Sequence, residues 1–64
     1  MKNLLIVIPV YNEQENIESV ISEWENLNID VEFDILIIND GSKDETPIIL
    51  ERLKNKYKNL YIIN

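Results

Sequence analysis

Three apolar runs, Leu4 to Ile8, Phe33 to Ile38 and Leu60 to Ile63, recur at intervals of about thirty residues. Their patterning is near-continuous and rich in β-branched residues. Such runs suit strands covered on both faces, as in a parallel sheet, rather than strands with one wet side. Pro9 follows the first run directly and is expected to terminate that strand, since it has no N–H for a ladder. The segments between the runs read as helices. Ile17, Val20, Ile21, Trp24 and Leu27 form one apolar stripe at helical spacing, with Trp24 placed in the core. Asn12 is expected to cap this helix, with Glu15 three residues on completing a capping box. Asp44 is expected to cap the second helix, where Pro47 falls in the first turn and Ile49, Leu50, Leu53 and Tyr57 supply the apolar face.

Strand, helix, strand, helix, strand is the βαβαβ half of a doubly wound, Rossmann-like parallel α/β sheet. Right-handed crossovers put both helices on one face. Two helices cannot cover both faces of three apolar strands, so the chain is expected to be the N-terminal piece of a larger domain. In isolation it is expected to be marginal or to self-associate through strand edges or swapped elements.

Composition narrows the function. At 64 residues the chain buries only about 60% of the surface its unfolded form exposes. It has no Cys and no His, which excludes disulfides, Cys/His zinc sites and a Ser-His or Cys-His nucleophile within it. A formal net charge of −6 argues against nucleic acid as a partner. The longest apolar run, Leu4 to Val10, is too short to span a bilayer, and no signal-peptide pattern precedes it. The chain therefore reads as cytoplasmic, with any membrane association made only through regions it does not contain.

In open α/β sheets, ligands bind at the carboxyl ends of the strands. Pro9-Val10-Tyr11-Asn12-Glu13 falls there after the first strand, and Asn39-Asp40-Gly41-Ser42 after the second. A single Gly cannot build a GxGxxG or P-loop phosphate cradle, so those nucleotide sites are excluded. A site that reads base and ribose through side chains does fit. Asp40 can accept from a base N–H or a ribose hydroxyl, and the ring of Tyr11 can pack on a base. Glu13 falls within reach of the same cleft if the turn is tight. Taken alone, Asp40 at a strand-turn boundary is most often an Asx-turn residue and Asn12 is more often a cap than a ligand, while Pro9 is as readily a strand end as a site residue.

The pair of segments Ile8-Pro9-Val10-Tyr11-Asn12-Glu13 and Ile37-Ile38-Asn39-Asp40-Gly41-Ser42-Lys43-Asp44-Glu45-Thr46 resembles the start of family 2 glycosyltransferases with the GT-A fold. The resemblance covers all of residues 1–64 but only the first part of such a domain. It implies that Pro9, Tyr11, Glu13, Ile38 and Asp40 line the nucleoside part of a nucleotide-sugar site, with a UDP- or GDP-linked donor. Asn39 departs from it, since many members carry Asp there. The metal-holding D-x-D motif and the catalytic base of such enzymes come after the fourth strand. The resemblance thus implies Mg²⁺ or Mn²⁺ held by residues outside this chain, no catalytic residue within it, and no transfer by the 64 residues alone. Its activity would be inverting transfer of a sugar to a hydroxyl or lipid-phosphate acceptor. The alternative from another class is a small, non-catalytic α/β interaction module.

Overall fold

The computed structural model describes residues 3–64. Strand β1 (Leu4–Val10), helix α1 (Ile17–Glu25), strand β2 (Phe33–Asn39), helix α2 (Thr46–Lys56) and strand β3 (Leu60–Ile63) follow in chain order. The strands form one parallel sheet in the order β1-β2-β3, so the βαβαβ reading of the sequence holds.

Register decides which side chains share a face. Ile6, Ile35 and Leu60 form one cross-strand row, and Ile8, Ile37 and Ile62 the next, with Val10 and Asn39 continuing the first two strands. These rows lie under the helices. Ile35 and Ile37 are fully buried, packed with Ile17 and Ile21 of α1 and with Leu50 and Leu53 of α2. The opposite face holds Val7, Leu36 and Tyr61 in one row and Pro9, Ile38 and Ile63 in another. Val7, Ile38, Tyr61 and Ile63 on this face are exposed. One face of the sheet is thus a core and the other is apolar but bare.

Three local readings are corrected. Strand β1 does not stop before Pro9; it runs through it to Val10. The carbonyl of Val10 faces β2, where it accepts the N–H of Asp40. Alternate residues face alternate sides, so the missing N–H of Pro9 falls on the open edge, where no ladder bond is lost. Helix α1 does not begin after Asn12. Its N-cap is Asn16, and Asn12 instead takes a left-handed φ of +50°. Finally, Trp24 is 37% exposed, and Val20 and Leu27 are exposed beside it. Only Ile17 and Ile21 of the apolar stripe meet the sheet, because a nine-residue helix lying on three strands presents a narrow line of contact.

Candidate functional site

The carboxyl ends of β1 and β2 carry two loops that are bonded to each other along their length. The N–H of Asn12 donates to Ser42 Oγ at 2.9 Å, and the N–H of Lys43 donates to Asn12 Oδ1 at 2.7 Å. Further on, the N–H of Glu13 donates to Thr46 Oγ1 (2.9 Å) and that of Gln14 to Asp44 Oδ2 (3.3 Å). The N–H of Glu45 donates back to Gln14 Oε1 (2.9 Å). Polar side chains of each loop thus serve the backbone donors of the other. Loops at a surface must place these groups somewhere, and here most of the bonds span about thirty residues of sequence.

Asp44 supports this arrangement from below. Its Oδ1 accepts from the backbone N–H of Thr46 at 2.9 Å and from the Thr46 hydroxyl. The formal N-cap of α2 is Glu45, whose side chain makes no cap bond. Asp44 does the capping from one residue earlier, and ties the first loop to the helix as well. Partial desolvation works to raise its carboxyl. The hydrogen bonds from the Thr46 hydroxyl, the Thr46 N–H, the Gln14 N–H and its own N–H outweigh that and hold its pKa below the usual carboxylate value.

Within this frame, Pro9 and Ile38 are register partners on the bare face. Asp40 follows directly, its backbone N–H bonded to the Val10 carbonyl at 2.9 Å. Its carboxylate is exposed and makes no hydrogen bond among the described residues. The side chain that braces this turn is that of Asn39, whose Oδ1 accepts the N–H of Ser42, three residues on, at 3.3 Å while its Nδ2 donates to Asn64 Oδ1 at 3.0 Å. Asn39 is only 5% exposed, so the residue that departs from the motif uses both ends of its amide. The ring of Tyr11 is exposed.

Four of the five expected residues, Pro9, Tyr11, Ile38 and Asp40, therefore share one corner of the sheet. Glu13 sits apart from them. Its carbonyl accepts the N–H groups of Asn16 and Ile17, and its Oε2 accepts from Asn16 Nδ2 at 3.4 Å, which turns it to the start of α1. Sequence reasoning missed Asn12, Gln14, Ser42 and Thr46 as cross-loop partners. Only their shared polarity in two separated loops could have marked them.

An open recess of about 250 Å³ lies between Asn12, Gln14, Glu15, Asn16 and Asp44, on the α1 side of the loops. A larger one, about 560 Å³, opens at the amino ends of the strands between Glu25, Asp34, Tyr57 and Tyr61. That is the far end of the sheet from both motifs. Among the described residues no three Cys, His, Asp or Glu side chains converge to hold a metal ion, so they do not by themselves fit one. Nor is any described helix long and apolar enough to cross a membrane.

The fold and the placement of the loops define an open parallel α/β unit with its polar site at the strand ends, the arrangement of Rossmann-like ligand-binding domains. Comparison of the sequence with known proteins places it more narrowly. Residues 5–64 match the glycosyl transferase family 2, and the chain belongs to that family. It is 38% identical over 61 residues to an uncharacterized protein of Methanocaldococcus jannaschii, covering 94% of this chain and 25% of that protein. It is 40% identical over 53 residues to the UDP-N-acetylglucosamine–dolichyl-phosphate N-acetylglucosaminyltransferase of Methanococcus voltae, covering 83% and 20% respectively. With the dolichol-phosphate mannosyltransferase of Pyrococcus furiosus the identity is 35% over 52 residues, covering 81% and 15%. The chain spans a quarter or less of the length of these curated relatives.

Proposed function

We propose that this chain supplies the nucleoside-binding part of a glycosyltransferase that moves a sugar from a UDP- or GDP-linked donor to a hydroxyl or lipid-phosphate acceptor. The observation that carries this is the exposed carboxylate of Asp40, which makes no hydrogen bond among the described residues. It stands at the carboxyl end of β2, on a backbone fixed to β1, beside an exposed aromatic ring and the apolar pair Pro9 and Ile38. Such a corner offers an acceptor for base or ribose donors and a flat apolar wall for the base. Glu13, anchored by its backbone on Thr46 but with its side chain turned to the start of α1, would join the site only by rotating that side chain away from Asn16.

Relatives named for dolichyl- or undecaprenyl-phosphate acceptors support the lipid-phosphate reading. In this account transfer is inverting and takes place at the cytoplasmic face of a membrane. A divalent cation, Mg²⁺ or Mn²⁺, would stabilise the leaving diphosphate, held by residues outside residues 1–64, and this segment alone would not transfer sugar. The bare sheet face of Val7, Leu36, Tyr61, Pro9, Ile38 and Ile63 would be covered by further polypeptide of the same domain.

The test is a titration of the ¹⁵N-labelled chain with UDP and, separately, GDP. Amide shifts centred on Tyr11, Ile38 and Asp40 are expected. Shifts confined to the amino ends of the strands, or none with either nucleotide, would leave the non-catalytic module as the better description.

A further inference from the structure

Asn12 stands between two residues of the proposed nucleoside site, Tyr11 and Glu13, yet it does not cap α1, whose N-cap position is Asn16 and carries no side-chain cap bond. The Asn12 backbone takes φ +50°, a region that side chains seldom adopt and that Asn tolerates better than most. In that conformation it bonds two consecutive residues of the other loop, through its own N–H to Ser42 Oγ (2.9 Å) and through Oδ1 to the N–H of Lys43 (2.7 Å). Those two residues close the turn that begins at Asp40. Between them and Asp40 lies Gly41, at φ +70° and with open space where a side chain would be, so nothing at that position stiffens the turn. The clasp continues downward, since Ser42 also donates its N–H to the buried Asn39.

We infer that Asn12 is a positioning residue that sets the separation of Tyr11 from Asp40 by clasping Ser42 and Lys43. The inference rests on the nucleoside reading above. Asn12 reaches the ligand through its neighbours: its hydrogen-bonding groups are directed at the second loop, and it lines the recess on the α1 side. A fixed Asp40 turn matters because a binding group that must be ordered on each encounter lowers affinity.

Three variants test this by NMR on the full chain. Asn12→Gly keeps the left-handed backbone accessible and removes Oδ1. Ser42→Ala removes the acceptor of the other bond. Asn12→Asp restores an acceptor and tolerates the same φ. The expected result is faster amide exchange at Lys43 in Asn12→Gly, together with roughly 3- to 10-fold weaker binding of UDP and GDP, the weight of one ordinary hydrogen bond. Ser42→Ala should weaken binding by a similar factor with faster exchange at Asn12. Asn12→Asp should return Lys43 exchange and the Tyr11 and Asp40 resonances to their original values, which general destabilisation would not allow. Unchanged exchange at Lys43 in Asn12→Gly, or no recovery in Asn12→Asp, overturns the clasp. Faster exchange with unchanged nucleotide affinity overturns the positioning role while leaving the nucleoside reading intact. Failure of the unsubstituted chain to bind either nucleotide overturns both.

Discussion

The backbone N–H of Asp40 donates to the carbonyl oxygen of Val10 at 2.9 Å, one step beyond the last register pair of β1 and β2, Val10 with Asn39. The bond extends the ladder by one residue after the strand has ended. It uses the Asp40 backbone for structure and leaves the carboxylate as the part that can meet a ligand. Asn39, one residue earlier, is the reverse case, with its side chain spent on Ser42 and Asn64.

Asp44 gives the loops a pH dependence with a defined sign. Hydrogen bonds hold its folded pKa below the ordinary value of 3.8. A carboxyl of this kind contributes stability above its unfolded pKa and loses that contribution as pH falls through its folded pKa. The contacts from Gln14 and Thr46 should therefore weaken on acidification below 3.8. Amide shifts of Gln14 and Thr46 followed against pH should report a low transition that is missing in Asp44→Asn. The same transition in both proteins would assign it to another carboxyl.

Asn39→Leu tests the buried amide. The substitution keeps bulk but strands the Ser42 N–H and removes the bond to Asn64. Ser42 is half-buried and Asn64 exposed, so the loss should be near the net worth of an ordinary hydrogen bond, about 0.5–1.5 kcal/mol. A urea melt should show a loss in that range; unchanged stability would mean that water satisfies both partners.

The two faces of the sheet should respond differently to substitution. Ile37 is fully buried between Ile8 and Ile62, and Ile37→Ala should cost about 2–5 kcal/mol. Val7, half exposed on the bare face, should accept Lys within about 0.5 kcal/mol. An uncovered apolar face also favours association, so sedimentation of the isolated chain should show concentration-dependent self-association that Val7→Lys reduces. A stable monomer melting cooperatively above about 60 °C, high for a mesophile domain, would contradict this.

The strands, their parallel pairing and the one-sided helices were legible because each rests on a periodic apolar pattern. Register was not legible, since the runs are apolar on both faces and a one-residue slip would only exchange Ile35 and Ile37 for Leu36 and Ile38. What was not legible depended on partners distant in sequence. The Asn12-to-Glu15 spacing has the form of a capping box, but Asn12 finds Ser42 and Lys43 instead, and no local rule weighs those contacts. Pro9 was misjudged for a related reason: whether it ends a strand depends on which side of the ladder its amide faces. Trp24 has core spacing, but only Ile17 and Ile21 of its helix are buried and its ring is left exposed. For the site, the structure brings both motifs to the carboxyl ends of β1 and β2; among the described residues the Asp40 carboxylate makes no hydrogen bond, while Asn39, Asp44 and Glu13 are engaged.

The central claim is that the Asp40 carboxylate binds the nucleoside, and calorimetric titration of Asp40→Ala with UDP and GDP tests it most directly. Losing a charge-assisted hydrogen bond costs roughly 1.5–3 kcal/mol, so affinity for the preferred nucleotide should fall about 10- to 150-fold, with the circular dichroism spectrum unchanged. Glu51→Ala removes an equal charge from an exposed position in α2, outside the strand-end loops, and should leave affinity within about twofold, since exposed charges that make no contact are weakened by solvent and salt. Equal losses in the two variants, or an effect of Asp40→Ala that appears only through unfolding, would contradict the assignment and make Asp40 a turn residue.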